Sequence, residues 1–185
     1  MKQVFLISGK ARSGKDSTAN FLKEKLNGKT LVLHNADFLK MIAEKYLGWD
    51  GSRNAQSRDL LQWLGTERTR LELNKPLFWV EKVCDAIEIV ENKYDYFCVP
   101  DVRFKNEVYL PKARFPGFVT SIKIIRNNFD NGLTEKQKNH LSETSLDNFN
   151  FDYVIKSESG LDKLEIEVDK FLQNMRMKEE NYIDE

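Results

Sequence analysis

The chain has 185 residues, and its 29 Lys and Arg residues balance its 29 Asp and Glu residues, so its formal net charge is zero. This length predicts one domain with a small insertion, long enough to bury a core without a disulfide or a metal staple. A zero balance argues against a nucleic-acid coat protein or a polybasic membrane binder, but a small anionic substrate needs only a few clustered cations.

The cysteines and the N-terminal residues argue against a secreted or membrane-spanning protein. Cys84 and Cys98 are fourteen residues apart and lack metal-ligand spacing, so we expect two buried free thiols in a reducing compartment, with a disulfide or a metal pair as the alternatives. The first residues lack the features of a signal peptide, and no segment approaches the ~20 apolar residues of a membrane span. We therefore expect a soluble, intracellular protein that binds no membrane.

Five short runs rich in apolar and β-branched residues predict β-strands, at 3–8, 30–36, 94–100, 119–126 and 152–157. Several are almost continuously apolar, as is typical of strands covered on both faces. Helical patterns lie between them, at 13–26, at 55–73, from Pro76 to about 92, and after Gly160. The last predicted helix has its buried side at Leu161, Leu164, Ile166, Val168, Phe171 and Leu172.

Alternating strands and helices predict an α/β fold, a three-layer sandwich around a parallel sheet. The interval between the second and third strands is longer than one crossover helix, which predicts a helical substrate-binding insertion at about 37–92. A polar segment without apolar periodicity, at about 127–150, predicts a short lid. The whole chain, 1–185, is then a single domain.

The first predicted strand leads into a phosphate-binding loop. Residues 9–15 fit the spacing G-x-x-x-x-G-K between a strand and a helix, where glycines expose backbone N–H groups and a lysine reaches the β- and γ-phosphates. Asp16 follows the lysine, and it either binds Mg²⁺ or caps the helix. The candidate donor-binding residues are Gly9, Ala11, Ser13, Gly14, Lys15, Asp16 and Ser17, with Asp16 and Ser17 as the metal candidates.

Charged residues also follow the later strands, at the edge of the sheet where α/β proteins bind ligands. Asp37 follows the second predicted strand, Asp101 and Arg103 follow the third, and Arg126 ends the fourth. Asp101 could act as a base, hold a magnesium-bound water or cap a helix, and Arg103 could grip phosphate or form a salt bridge. Lys15, Asp101, Arg103 and Arg126 are the catalytic candidates.

The predicted insertion adds three arginines and two tryptophans. Of Arg58, Arg68 and Arg70, one or two could clamp an acceptor phosphate while the rest are solvated. Trp63 and Trp79 could stack on a base, although aromatic residues at helical spacing more often belong to a core. A P-loop lysine, Mg²⁺ and convergent arginines together suit phosphoryl transfer from a nucleoside triphosphate, with a lid that excludes water.

Several motifs occur in an order that resembles the bacteriophage-type deoxynucleoside monophosphate kinases. They are GKARSGKDSTA, ADFLK, RDLLQWLGTERTR, FWV, PDVRFKNE and HLSETSLDNFNFDYVI, and they extend from about residue 3 to 165. The resemblance implies a five-stranded parallel sheet in the order 2-3-1-4-5 and the reaction ATP + dNMP → ADP + dNDP with Mg²⁺. It also suggests a homodimer. The zero net charge predicts no nucleic-acid partner, and we expect the protein in the cytoplasm, or in the host cytoplasm if it is phage-encoded.

The resemblance implies roles for individual residues as well. Lys15 would bind the donor phosphates, and Asp16 and Ser17 would lie near Mg²⁺. Asp37 would contact the acceptor, and Arg70 and Arg103 would hold its phosphate. The further substrate-binding candidates are Arg58, Trp63, Glu67, Glu107, His140, Ser142 and Glu143. The chain has Phe38 where the family often has proline, and its lid has few cations beyond Arg126.

Two other functions fit the same loop. The acceptor could be another small phosphorylated molecule, such as phosphomevalonate or dephospho-coenzyme A, since only the acceptor distinguishes these kinases. The chain could also be a non-catalytic nucleotide-binding or regulatory protein. A protein that binds nucleic acid is the weakest alternative, given the zero net charge.

Overall fold

The computed structural model describes residues 1–127, 129–158 and 160–181, with the backbone alone for 176–181. Five parallel strands form one sheet: β1 (Gln3–Ser8), β2 (Thr30–Val32), β3 (Tyr96–Val102), β4 (Val119–Arg126) and β5 (Tyr153–Ser157). The strand order is β2-β3-β1-β4-β5, and every strand pair is parallel. The predicted α/β fold and strand order are confirmed.

Helices connect these strands. They are α1 (Lys15–Lys25), α2 (Ala36–Leu47), α3 (Ala55–Gln62), a π-helix (Trp63–Glu72), α4 (Phe78–Val90), α5 (Asn106–Arg114), α6 (Glu135–Lys138), α7 (Leu141–Thr144) and α8 (Leu161–Asn181). The first connection, β1 to α1, is the predicted phosphate-binding loop. Helices α2 to α4 lie between β2 and β3, and α6 and α7 lie between β4 and β5.

Some predicted boundaries are wrong. The second strand ends at Val32, because a helix already begins at Ala36, and β3 continues through Asp101 to Val102. Pro76 lies in a turn before α4 and not in its first turn. The helix predicted at 55–73 is divided between α3 and the π-helix.

The hydrophobic core has one layer on each face of the sheet. Helices α4 and α5 cover one face, and α1 and α8 cover the other. Cys84 lies in the first layer and Cys98 in the second, both buried and free, so the predicted pair of buried thiols is confirmed. On α8, however, Leu161 and Ile166 are exposed, because they fall outside the stripe that packs on the sheet.

A third apolar cluster lies in the region between β2 and β3, around Leu39, Ala43, Leu64 and Trp79. It gives helices α2 to α4 a core of their own beside the sheet. Among the described helices, none is both long and apolar enough to cross a lipid bilayer.

Candidate active site

The loop between β1 and α1 is built around two glycines. Gly9 and Gly14 have φ values of 153° and 101°. A Cβ at Gly9 would lie 2.6 Å from the carbonyl oxygen of Ile124, and one at Gly14 would lie 2.7 Å from Leu164. No side chain caps the N-terminus of α1. The loop therefore requires glycine at both positions and leaves helical N–H groups available for an anion.

Lys15 is buried beside this loop. Its Nζ donates to the carbonyl oxygen of Lys10 at 2.8 Å, which folds the side chain back over the loop. Burial, with a smaller contribution from the nearby Arg103 guanidinium, lowers the pKa of Lys15 to about 7. A phosphate group at the loop would restore a favourable environment for the ammonium form.

Asp16 takes part in a cluster that the sequence analysis missed. His34, just after β2, lies with Nε2 3.2 Å from Asp16 Oδ1 and with Nδ1 3.5 Å from Asp37 Oδ1. The hydrogen bond to Asp16, followed by the one to Asp37, raises the pKa of His34 to about 10, and the same bond lowers the pKa of Asp16. Asp16 makes no capping bond on α1, so the helix-capping alternative is not supported.

The Asp16 side chain suits a magnesium ion bound jointly with phosphate. It is 80% exposed, and within the described residues only Oδ1 is hydrogen-bonded. No group of three or more His, Cys, Asp or Glu side chains in the described residues could hold a metal by itself. Mg²⁺ is commonly held by one or two carboxylates and substrate phosphates, and Asp16, with Ser17 beside it, fits that arrangement.

A cleft of about 900 Å³ extends from the phosphate-binding loop into the region between β2 and β3. The predicted site residues that line it are Ala11, Lys15, Asp16, Arg58, Arg70, Asp101, Arg103, Glu107, Ser142 and Glu143. A smaller cavity of about 280 Å³ lies on the other side of the loop, lined among others by Gly9, Ser13 and Arg126. The structure thus gathers most of the predicted residues around one loop.

Both carboxylate oxygens of Asp101 accept hydrogen bonds from the backbone at the start of α2. Its Oδ1 accepts from the backbone N–H of Asn35 at 2.8 Å, and its Oδ2 accepts from that of Ala36 at 2.9 Å. This is the arrangement of a helix-capping carboxylate, one of the interpretations left open above. Asp37, in the first turn of the same helix, similarly accepts from the N–H of His34 at 2.8 Å.

Arg70 is held by a buried carboxylate. Its guanidinium donates to Glu107 and to the carbonyl oxygen of Gly65, and it lies 4.1 Å from the centre of the Phe104 ring. The other Glu107 oxygen accepts from the backbone N–H groups of Arg103 and Phe104, at 2.6 and 3.1 Å. Burial raises the pKa of Glu107 to about 7, and Arg70 opposes that shift.

Glu143 joins the segment between β4 and β5 to the phosphate-binding loop. It is buried, its Oε1 accepts from Arg103 at 2.8 Å, and its Oε2 accepts from the N–H of Ala11 at 3.2 Å. Arg126, at the end of β4, donates to the carbonyl oxygen of Arg12 at 3.4 Å and stacks on Phe129. Both contacts hold that segment against the loop.

His140 lies outside the cleft lining, although its partner Ser142 belongs to that lining. His140 caps α7 by accepting from the N–H of Ser142, and its Nε2 lies 2.9 Å from Glu67 on the π-helix. Trp63 is 41% exposed and does not line the cleft either, whereas Trp79 is buried in the third apolar cluster. Glu67, His140 and Trp63 are therefore predicted site residues that the structure does not bring to the cleft, and Gly14, Ser17 and Asp37 do not line it either.

Two residues at the site, His34 and Arg12, were not among the candidates predicted from the sequence. His34 fell inside the strand predicted at 30–36, and only the observed end of β2 at Val32 places it at the strand end where ligands bind. Arg12 lies inside the recognised loop and lines the cleft. A basic residue in the variable part of the loop carries no motif, so its significance depends on what surrounds it.

Comparison with known proteins supports the fold. No protein-family model matches the chain. The dephospho-CoA kinase from Campylobacter jejuni superposes with a TM-score of 0.51 and 16% identity, over 93% of this chain and 96% of that one. The chain has the fold of the P-loop kinases. A variant of the APS kinase from Mycobacterium tuberculosis gives a TM-score of 0.46 and 14% identity, over 92% of this chain and 96% of that one.

Proposed function

We propose that the protein uses ATP and Mg²⁺ to phosphorylate deoxynucleoside monophosphates to diphosphates. The observation that carries this proposal is the cleft of about 900 Å³, which begins at Lys15 and is lined by Arg12, Arg58, Arg70 and Arg103. A lysine that binds the donor and several arginines facing the same space suit transfer between two phosphate groups. The motifs quoted above supply the acceptor class.

In this proposal the two sides of the cleft have different tasks. The glycine loop and Lys15 bind the β- and γ-phosphates of the donor, and Arg70 and Arg103 orient the acceptor phosphate. Glu107 and Glu143 fix these two arginines, so little side-chain freedom is lost on binding. Asp16, with Ser17, would hold Mg²⁺, which neutralises charge on the phosphates when it is bound.

The remaining cleft residues suit a nucleoside. Leu39, Trp49 and Leu61 provide an apolar part of the lining, and Ser57, Gln62 and Thr66 provide hydrogen-bonding groups. We infer that segment 37–92 binds the acceptor and that segment 127–150, whose residue 128 lies outside the described residues, is the lid. No general base is required, because the attacking oxygen belongs to an acceptor phosphate that is already ionised.

An acceptor screen tests the proposal. ADP release from ATP is followed with each deoxynucleoside monophosphate, and in parallel with phosphomevalonate and dephospho-coenzyme A. We expect turnover with at least one deoxynucleoside monophosphate and none in the Lys15→Ala variant. Turnover with only the other acceptors would overturn the assignment of the acceptor, and ATP binding without transfer to any acceptor would indicate a binding protein. Sedimentation tests the proposed homodimer separately.

A further inference from the structure

The arginines of the cleft differ in their partners. Arg70 is paired with Glu107 and Arg103 with Glu143. Arg12 and Arg58 line the same cleft, and within the side chains that the structure describes neither has a carboxylate partner. Arg12 and Arg58 are therefore arginines of the cleft whose charge no ion pair compensates; among the described residues, Lys40 and Arg53 also line the cleft without an ion pair. A bound polyanion would meet the charges of Arg12 and Arg58 without first having to displace an internal carboxylate.

Arg58 lies close enough to Arg12, Arg103 and Glu143 for their charges to affect its pKa. Burial lowers the pKa of Arg58, and the Arg103 and Arg12 guanidinium groups lower it further, while Glu143 acts in the opposite direction. The Arg58 guanidinium is thus repelled by two neighbouring guanidinium groups in this part of the cleft. Such repulsion is relieved when an anion enters the space between them.

The backbone places Arg12 at the junction of three parts of the site. It lies in the phosphate-binding loop with a φ of 59°, a left-handed conformation that residues other than glycine rarely adopt and that is commonly found at functional sites. Its carbonyl oxygen accepts from Arg126 at 3.4 Å, so the end of β4 supports the loop at this point. Its side chain lines the acceptor cleft.

The segment between β4 and β5 approaches this side chain closely. A Cβ added to Gly132 would lie 2.9 Å from Arg12 Nη1, and Gly132 has a φ of 65°. Glycine therefore leaves room for the guanidinium beside a segment that also contributes Glu143 to the loop. Arg12 lies where the donor loop, the acceptor cleft and the proposed lid meet.

We propose that Arg12 is a catalytic residue whose guanidinium contacts the phosphoryl group while it moves between the two substrates. This proposal rests on the proposed kinase function. During transfer the bond between the γ-phosphorus and the bridging oxygen breaks, and its electron pair leaves with ADP. A bond forms from an acceptor phosphate oxygen to the same phosphorus. Arg12 remains protonated throughout and donates hydrogen bonds to the equatorial oxygens, where negative charge is spread.

The test compares four variants in steady-state kinetics with the preferred acceptor. Arg12→Gln keeps a shorter polar side chain that can donate hydrogen bonds but removes the charge, and Arg12→Lys keeps the charge without the planar fork. Arg12→Ala removes both. Arg68→Ala is the matched control, because Arg68 is an exposed arginine that pairs with Glu72 away from the cleft. Thermal unfolding of each variant checks that the fold is intact.

We expect Arg12→Gln and Arg12→Ala to lower kcat by about a hundredfold or more, with Arg12→Lys in between. The KM values and the affinity for ADP should stay within about threefold, and Arg68→Ala should match the wild type. The proposal is overturned if kcat stays within threefold of wild type, or if ADP affinity falls as much as kcat, since the second result means that the loop has collapsed.

A binding measurement separates this proposal from the proposed function. ADP with aluminium fluoride imitates the phosphoryl group in transfer, and we expect it to bind more tightly than ADP alone to the wild type but not to Arg12→Gln. If the wild type phosphorylates no acceptor at all, the proposed function is wrong, and this comparison still decides the role of Arg12. Equal affinity gains in both proteins would overturn the Arg12 proposal whatever the acceptor is.

Discussion

Lys15 is buried, and burial disfavours the charged form of its side chain. The pKa of this lysine is lowered to about 7, so above neutral pH the unliganded protein is increasingly deprotonated there. Phosphate binding favours the ammonium form and raises that pKa, so nucleotide binding takes up a proton. Between pH 7.5 and 9, where the terminal phosphate is already ionised, we expect the affinity for ATP to fall by up to about tenfold per pH unit.

Calorimetry in buffers of different ionisation enthalpy measures this proton uptake directly. The matched control is Lys15→Arg, whose guanidinium stays charged throughout the range. His34, whose pKa is raised to about 10 by its bond to Asp16, is present in both proteins and contributes equally to both. The same pH dependence in Lys15→Arg would show that another group accounts for it.

Asp16 is the second residue whose role a single substitution can decide. Its carboxylate contacts His34 through Oδ1, so it either binds Mg²⁺ or serves only as a partner of His34. If it binds the metal, Asp16→Asn should raise the Mg²⁺ concentration for half-maximal activity by about tenfold, because a charged hard ligand is replaced by a neutral one. His34→Leu is the control, since it removes the hydrogen-bonding partner and keeps the carboxylate. An unchanged metal requirement in Asp16→Asn would assign the residue to His34 alone.

At the scale of elements, α6 and α7 are attached to the helices between β2 and β3 through a few side chains. Gln137 donates to Asp59 at 2.9 Å, and His140 lies 2.9 Å from Glu67. His140 also accepts from the backbone N–H of Ser142 at 3.1 Å and so caps α7. One imidazole therefore both starts a helix and fastens it to the π-helix.

The two tasks of His140 can be separated by substitution. Asparagine is a good N-cap but is too short to reach Glu67, whereas alanine performs neither task. A lost cap costs about 1 kcal/mol, so we expect His140→Ala to speed amide hydrogen exchange at 141–145 by about fivefold. His140→Asn should show a smaller increase, and exchange in the sheet should not change. Equal exchange in His140→Ala and the wild type would mean that other contacts hold α7 alone.

The sequence predicted elements best where the signal is local. The first, fourth and fifth strands begin and end within a residue of their predicted positions, because each is a compact apolar run. The start of α2 is different, since its first N–H groups are bonded by Asp101, which is distant in sequence. The apolar stripe at 55–73 predicts a helix but not a π-helix, in which the hydroxyl of Thr69 donates to the carbonyl oxygen of Leu64 at 2.6 Å.

In the candidate site too, features set by local sequence could be predicted, and features set by contacts between distant residues could not. The glycine loop is readable because its conformation demands glycine at fixed spacing, and the later charged residues are readable from their position near strand ends. Charge pairing is not readable, because Glu107 and Glu143 meet Arg70 and Arg103 only in the folded chain. The sequence therefore predicted four cations of the cleft without showing which of them lack a carboxylate partner. They are Lys15, Arg58, Arg70 and Arg103.

At the scale of the whole molecule, the two free thiols report on the two layers of the core. Cys84 is on α4 in one layer, and Cys98 is on β3 facing the other. Burial raises the pKa of both thiols to about 12, so neither supplies thiolate in the folded protein at neutral pH. A water-soluble disulfide reagent should consequently react with either cysteine only after its layer opens.

Because each layer packs on the same sheet, we expect the two layers to unfold together. Cys84→Ala and Cys98→Ala leave one thiol each, and in both variants the thiol should become reactive at the urea midpoint measured by circular dichroism. ATP at a hundred times its Kd should stabilise the folded state by about 2.7 kcal/mol and move both midpoints to higher urea. A thiol that reacts below the dichroism midpoint, or whose reaction ATP does not delay, would show that its layer opens independently of the nucleotide-binding fold.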